Sequence, residues 1–122
     1  MSNIESLIFG EVFDDFLEMA KHLLESGYIP VVPTLIGAVL EDGLRRISRA
    51  RCIDVKENSD NIASLNNKLA DAKVYGGLVR KKVAVWNEIR NNADHGKFEQ
   101  LNEPDVRGML EGVRDFLSTH LR

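Results

Sequence analysis

The chain contains 122 residues, of which 43% are hydrophobic and 29% are charged, and its formal net charge at pH 7 is −3. These values fit one globular domain spanning residues 1–122 and exclude a disordered chain, and the net charge gives no general attraction for nucleic acid. The chain has no apolar run of roughly 20 residues, no secretory signal and no partner for its single cysteine, Cys52. The sequence therefore predicts a cytoplasmic protein that has no membrane contact, disulfide, metal site or cofactor.

The beginning of the chain has the spacing of an amphipathic helix. Large apolar residues recur every three or four positions in a stripe that comprises Phe9, Phe13, Phe16, Ala20 and Leu23. This stripe predicts a first helix from about Ser2 to Ser26. Ser2 and Glu5 have the spacing of a capping box, and Gly27 suits the position just after the helix.

A turn with two prolines separates this helix from a second one. The second helix is expected to open at Pro33 or Thr34 and to end near Arg51. Its apolar stripe comprises Ile36, Leu40, Gly43 and Ile47. Gly37 and Gly43 lack a side chain, so we expect the backbone of another helix to approach closely there.

The second half of the chain contains three further helical patterns. After a polar loop, Ser59 or Asp60 can cap a short third helix, and a longer fourth helix follows a glycine pair. A fifth helix begins at Pro104 behind a cap at Asn102 or Glu103. Their stripes comprise Ile62, Leu65 and Leu69, then Val79, Val83, Trp86, Ile89 and Ala93, then Val106, Leu110, Val113, Leu117 and Leu121. Since no strand pattern occurs, the sequence predicts an all-α bundle of about five helices.

The charges are unevenly distributed along the chain. Residues 1–42 contain eight acidic residues and one basic residue, whereas residues 43–97 contain twelve basic residues and six acidic ones. Because the local field depends on where charges lie, this central segment could bind a polyanion despite the net charge. Its candidate RNA contacts are Arg49, Arg51, Arg80, Lys81, Lys82 and Lys97. Glu41 and Arg45 are four residues apart and are expected to form a structural ion pair instead.

The end of the fourth helix contains the residues with the clearest chemical rationale. Arg90 is followed by Asn91 and then, after three more residues, by His95 and Gly96. Arginine binds phosphate through forked donors and histidine exchanges protons near neutral pH, so the pair could cleave RNA through its 2′-hydroxyl without a metal. On an ideal helix the two side chains point about 140° apart, so a shared site needs an unwound helix end or a second chain. The simpler interpretation is that His95 caps the helix and Arg90 pairs with a carboxylate.

The run Ile89–Gly96 resembles the signature of the HEPN superfamily, in which an arginine and a polar residue precede a histidine near the end of a late helix. Weaker similarity to small bacterial HEPN proteins occurs at Leu40–Arg45, Leu65–Asn66 and Asp105–Val106, so the resemblance covers about residues 15–120. It implies a HEPN-like helical bundle that forms a symmetric homodimer, with the arginine and histidine in a cleft between the protomers.

The resemblance also implies an activity, that of a metal-independent endoribonuclease in a bacterial toxin–antitoxin or antiviral defence system. His95 would then be the general acid and base, Arg90 would stabilise the charge on the reacting phosphate, and Asn91 would orient the substrate or the histidine. The product would carry a 2′,3′-cyclic phosphate, and a small nucleotidyltransferase could serve as the antitoxin. Two alternatives are a non-catalytic HEPN module that binds a partner protein or RNA, and a structural dimer in which Arg90 and His95 are buried and paired.

Overall fold

The computed structural model describes the backbone of residues 3–121 and the side chains of residues 10–121. The predicted capping box of Ser2 with Glu5 and the side chain of Phe9 lie outside the described residues. Residues 3–121 form five α-helices and no strand, which confirms the predicted all-α bundle. The helices are α1 Asn3–Glu25, α2 Val32–Ala50, α3 Ile62–Asp71, α4 Gly77–Asp94 and α5 Glu103–Leu121, with one-turn 3-10 helices at Ile29–Val31 and Phe98–Gln100.

The first four helices end in the same backbone motif. The two residues after each C-cap donate hydrogen bonds back to carbonyls of the last turns, as in a Schellman motif. The first of these residues has a positive φ in every case and is Gly27, Cys52, Lys73 or Gly96. Glycine adopts this conformation at no steric cost, so Gly27 and Gly96 end α1 and α4 where the pattern predicts. Cys52 and Lys73 adopt it with φ near 60°, namely 58° and 60°, and neither residue type signals a helix end.

Two asparagines cap the beginnings of α3 and α5. Asn61 accepts a hydrogen bond from the Ser64 amide at 3.0 Å, and Ser64 Oγ accepts one from the Asn61 amide at 2.8 Å, which forms a capping box at α3. The cap is therefore one or two residues later than the Ser59 or Asp60 expected from the sequence. Asn102 Oδ1 accepts from the Asp105 amide at 2.9 Å and caps α5.

Helices α1, α2, α4 and α5 surround one apolar core, and α3 packs against α2 and α4. Side-chain contacts join Thr34 to Asp94 and Glu41 to Arg90, so α2 and α4 are antiparallel. The largest side chains with almost no exposed surface include Leu17, Ile36, Leu40, Leu44, Ile47, Ile62, Leu65, Leu69 and Met109. Within residues 3–121, none of the helices combines the length and the apolar character needed to cross a membrane.

Three glycines in the bundle make room for large side chains. A methyl group at Gly37 would overlap the aliphatic part of Arg90, one at Gly43 would overlap Leu117, and one at Gly112 would overlap the Trp86 ring. The close approach expected at Gly37 and Gly43 therefore occurs, but a side chain fills the space in place of a backbone. At Gly37 this allows Arg90 to lie directly on the surface of α2.

Candidate functional site

The candidate site lies where α4 crosses the first turns of α2. Thr34, Gly37 and Glu41 are spaced by three and four residues and so share one face of α2. The Arg90 side chain lies across this face at Gly37, and its guanidinium reaches Glu41. Asp94, one turn further along α4, accepts a hydrogen bond from Thr34 Oγ1 at 2.5 Å. The packing of two helices thus fixes both ends of a small polar cluster around Arg90.

Within residues 10–121, the Arg90 guanidinium has several neighbours but no short hydrogen bond. Its Nη1 donates to Glu41 Oε1 at 3.5 Å, and its Nη2 donates to Asn87 Oδ1 and to Asn91 Oδ1, each at 3.4 Å. Its Nε lies 3.7 Å from Asp94 Oδ2, within ion-pair range, but has no hydrogen-bond acceptor among the residues that the structure describes. These distances exceed the usual 2.7–3.2 Å, so the group is oriented from several sides while its bonding capacity is only partly used.

The two carboxylates beside Arg90 are each held by another residue. Glu41 Oε2 accepts from Arg45 Nη1 at 2.7 Å, and this i,i+4 ion pair is much shorter than the contact of Glu41 with Arg90. Arg45 also donates to the Asp60 carbonyl at 2.8 Å, which connects the cluster to the loop before α3. Two arginines and two carboxylates, those of Glu41 and Asp94, therefore balance one another in charge.

The loop before α3 is itself anchored by the Asp60 side chain. Its carboxylate accepts hydrogen bonds from the Lys56 amide at 2.8 Å, from Lys68 Nζ at 2.6 Å and from Ser64 Oγ at 2.8 Å. These donors, the Lys56 amide first, hold the pKa of Asp60 well below its ordinary value. The ionised carboxylate therefore stabilises the loop whose carbonyl receives Arg45.

His95 lies on a different side of α4 from Arg90. It is the C-cap residue, with φ −91° and ψ 8°, and α4 remains helical through Asp94. Its side chain is exposed, and no hydrogen bond or ion pair engages it among the residues that the structure describes. Because the helix end does not unwind before His95, Arg90 turns toward α2 while His95 turns toward solvent. Within one chain the structure therefore shows no contact between the two side chains among the described residues.

The predicted RNA contacts lie in separate places. Arg49 forms an ion pair with Glu57, although no nearby acid is evident from its own helix. Arg51 is exposed, and its charge, together with the larger effect of burial, lowers the pKa of His120. Lys97 is exposed just beyond the C-terminal end of α4, and within residues 10–121 no ion pair engages it.

The run Arg80, Lys81 and Lys82 divides between two grooves. Arg80 and Lys81 line a groove of about 420 Å³ between α3 and α4. Lys82 lines a wider groove of about 640 Å³ between α4 and α5, whose floor includes Trp86 and Met109. Helix α4 is therefore a ridge between two grooves, and the three basic residues do not form a single patch.

An exposed apolar face lies beside the Arg90 cluster. Its members, on α1, on α2 and on the turn between them, are Val12, Phe16, Met19, Val31, Leu35 and Ala38. A depression of about 250 Å³ separates the two helices on this face. Leu35 and Ala38 directly follow Thr34 and Gly37 in sequence, so the face borders the polar cluster on the surface of α2.

The sequence predictions do not include several residues of the cluster. Thr34 and Asn87 were not identified, and Asp94 was not recognised as a neighbour of the Arg90 guanidinium. The position of Asp94, four residues after Arg90, is a signal that could have indicated this contact. Among the described residues, no three His, Cys, Asp or Glu side chains are grouped so that they could hold a metal ion.

Comparison with protein-family models, with curated proteins and with solved structures gives no match for this chain. The resemblance to HEPN proteins therefore rests only on the motif at residues 89–96 and on the weaker similarities outside it.

Proposed function

We propose that the protein is a HEPN-type endoribonuclease that works as a homodimer and needs no metal ion. The observation that carries this proposal is the partly bonded guanidinium of Arg90, whose hydrogen bonds are all 3.4 Å or longer. A phosphate oxygen forms shorter, charge-assisted bonds with arginine, so an RNA phosphate would replace weak contacts and leave the short bonds of the cluster intact.

The proposed reaction uses the 2′-hydroxyl of the RNA as nucleophile. Its oxygen attacks the adjacent phosphorus, the bond to the 5′-oxygen breaks, and the products are a 2′,3′-cyclic phosphate and a 5′-hydroxyl. Arg90 offsets the negative charge on the non-bridging oxygens, and Asn91 keeps the guanidinium oriented through its contact with Nη2. One His95 accepts the proton of the 2′-hydroxyl, and a second histidine protonates the leaving oxygen.

The second histidine is the reason for proposing a dimer. Each chain supplies one His95, and in a symmetric pair the partner subunit's His95 would complete the site. The apolar face of α1 and α2 is the surface that a second copy would cover. It borders the Arg90 cluster, so a partner seated there would bring its own residues to the edge of the site.

The experiment is an RNA cleavage assay on the purified protein in EDTA. Wild-type protein is expected to cut single-stranded RNA and to leave 2′,3′-cyclic phosphate ends, whereas Arg90→Ala and His95→Ala are each expected to lower the rate at least about a hundredfold. His22→Ala and Arg107→Ala are the matched controls, since His22 is exposed on α1 and Arg107 pairs with Glu103 on α5, so neither contacts the Arg90 cluster. Cleavage by both site variants at the wild-type rate, or a strictly monomeric active protein, would refute the proposed site.

A non-catalytic HEPN module is the second candidate, and one observation favours it. Glu41 and Asp94 already neutralise Arg90 and Arg45, and the Asp94 carboxylate lies where a phosphate would approach. In that case RNA or a partner protein would bind to the same surface without turnover. Salt-sensitive RNA affinity that Arg90→Ala weakens, combined with no cleavage product after long incubation, would establish the second candidate and exclude the first.

A further inference from the structure

The groove between α3 and α4 has a lining that suits one chemical class of ligand. Its apolar part is formed by small or buried groups, namely Ile62, Ala63, Gly77 and Ala84. The polar part is formed by Asn66, Asn67, Arg80, Lys81 and Asn87. None of these lining residues carries a carboxylate, and the volume of about 420 Å³ lies within the usual range for small-molecule sites.

Hydrogen bonds inside this groove occupy the side-chain oxygen of Asn67, whereas the side-chain NH₂ groups of Asn67 and Asn87 donate no hydrogen bond among the described residues. Asn67 Oδ1 accepts from Arg80 at 2.8 Å and 3.2 Å, and Asn87 Oδ1 accepts from Arg90 at 3.4 Å. The buried Asn66 is bonded at both ends of its amide, since its Nδ2 donates to the Arg80 carbonyl at 3.0 Å and its Oδ1 accepts from Tyr75 at 2.6 Å.

Most of the polar groups that remain for a ligand are donors. Among the described residues, the Nδ2 groups of Asn67 and Asn87 and the Nζ of Lys81 donate no hydrogen bond. The groove therefore presents donors and positive charge next to an apolar surface. A ligand that matches it has an anionic or acceptor-rich part joined to a flat apolar part, as a phosphate joined to a nucleobase does.

We infer that this groove binds a nucleotide unit of the RNA strand next to the unit held at Arg90. Asn87 connects the two places, because it lines the groove and its Oδ1 contacts the Arg90 guanidinium. Arg80 and Lys81 then bind a phosphate, the free amide groups bind base acceptors, and Ala63 and Ala84 contact the ring. The inference rests on the proposed function for its ligand, although the groove can bind RNA whether or not the strand is cut.

The test replaces one free donor by an acceptor of the same shape. Asn67→Asp keeps an oxygen for Arg80 but turns the free Nδ2 into a second carboxylate oxygen, which repels phosphate and binds Arg80 more tightly. Gln100→Glu is the matched control, since it makes the same amide-to-carboxylate change at an exposed residue of the other groove. The probes are a fluorescein-labelled 2′-O-methyl RNA of mixed sequence, which cannot be cut, and free adenosine and uridine monophosphates.

Asn67→Asp is expected to weaken binding of the 2′-O-methyl RNA about tenfold, whereas Gln100→Glu changes it less than about twofold. Equal effects of the two substitutions, or no binding by the wild-type protein, would overturn the inference. Free monophosphates that bind as tightly as the strand, with the same sensitivity to Asn67→Asp, would overturn the assignment to RNA. If strand binding depends on Asn67 but ordinary RNA is not cleaved, RNA binding in the groove is supported and the nuclease proposal is refuted. If Asn67→Asp leaves kcat/KM for RNA cleavage unchanged, RNA binding in the groove is refuted and the nuclease proposal is supported.

Discussion

Replacing Gly37 by alanine tests whether the helix surface at this position holds Arg90 in place. In an exposed helix, alanine is more favourable than glycine by about 1 kcal/mol. At Gly37 the added methyl would overlap the Cδ and Cγ atoms of Arg90. Relieving that overlap in a packed contact costs about 1–3 kcal/mol, and moving the half-buried guanidinium away from Glu41 loses at most about 1 kcal/mol more. Gly37→Ala is therefore expected to destabilise the protein by about 1 kcal/mol.

Gly108→Ala provides the comparison, because a methyl group there meets no atom within 4 Å. It is expected to stabilise the protein by up to about 1 kcal/mol, the opposite sign for the same chemical change. Urea unfolding followed by circular dichroism at 25 °C measures both free energies. In an Arg90→Ala background the obstructing side chain is absent, so Gly37→Ala is expected to stabilise the protein there. The coupling free energy between the two substitutions is then about 2 kcal/mol. A Gly37→Ala protein that is as stable as Gly108→Ala, or a coupling near zero, would contradict the packing of Arg90 on α2.

Three further predictions concern stability. Lys73→Gly is expected to raise the free energy of unfolding by about 0.5–1 kcal/mol, because Lys73 has a φ of 60° that glycine adopts without strain. Gly96→Ala is expected to lower it by about 1 kcal/mol, because Gly96 has a positive φ of 71°. Urea unfolding measures both changes. The pKa of Asp60 is lowered in the folded chain, so its carboxylate stabilises the fold above the ordinary pKa near 4, and this stabilisation is lost as the pH falls through the folded pKa. Asp60→Asn is therefore expected to reduce the pH dependence of the unfolding free energy measured between pH 5 and about pH 2. His120 also has a lowered pKa, first through burial and then through Arg51, so the unfolded chain binds its proton more readily and stability falls as the pH drops below about 6.5. His120→Gln is expected to remove that slope between pH 7 and about pH 5 in the same assay, and a wild-type slope that the substitution leaves unchanged would assign it to another group.

The helix pattern was predictable because its signals are local. Apolar spacing and the glycines at 27 and 96 determine where α1 and α4 run and end. Cys52 and Lys73 end α2 and α3 in the same backbone conformation, but nothing in their side chains marks them for it. Those two ends follow from the tertiary packing that surrounds the helices, which local propensity does not report.

The same distinction applies to the site. The Glu41–Arg45 pair and the Arg90–Asp94 pair are both four residues apart on a helix, so both could be inferred from spacing alone. The contacts from Glu41 to Arg90 and from Thr34 to Asp94 span 49 and 60 residues. They depend on the register in which α2 and α4 pack. Gly37 indicates a close approach at that position, but its sequence context does not indicate that the approaching group is Arg90.

Glu41 contacts two arginines through different oxygens, so the contact that holds the fold together is distinct from the contact at the proposed anion site. Its Oε2 is bonded to Arg45 at 2.7 Å, while its Oε1 is 3.5 Å from Arg90. An anion that draws Arg90 outward therefore breaks only the longer of the two Glu41 contacts, and the connection from α2 through Arg45 to the Asp60 carbonyl remains. Under the proposed function, Arg90→Ala is thus expected to abolish RNA binding and to leave the Arg45 bonds intact, whereas loss of Arg45 removes one of the bonds that hold the loop before α3.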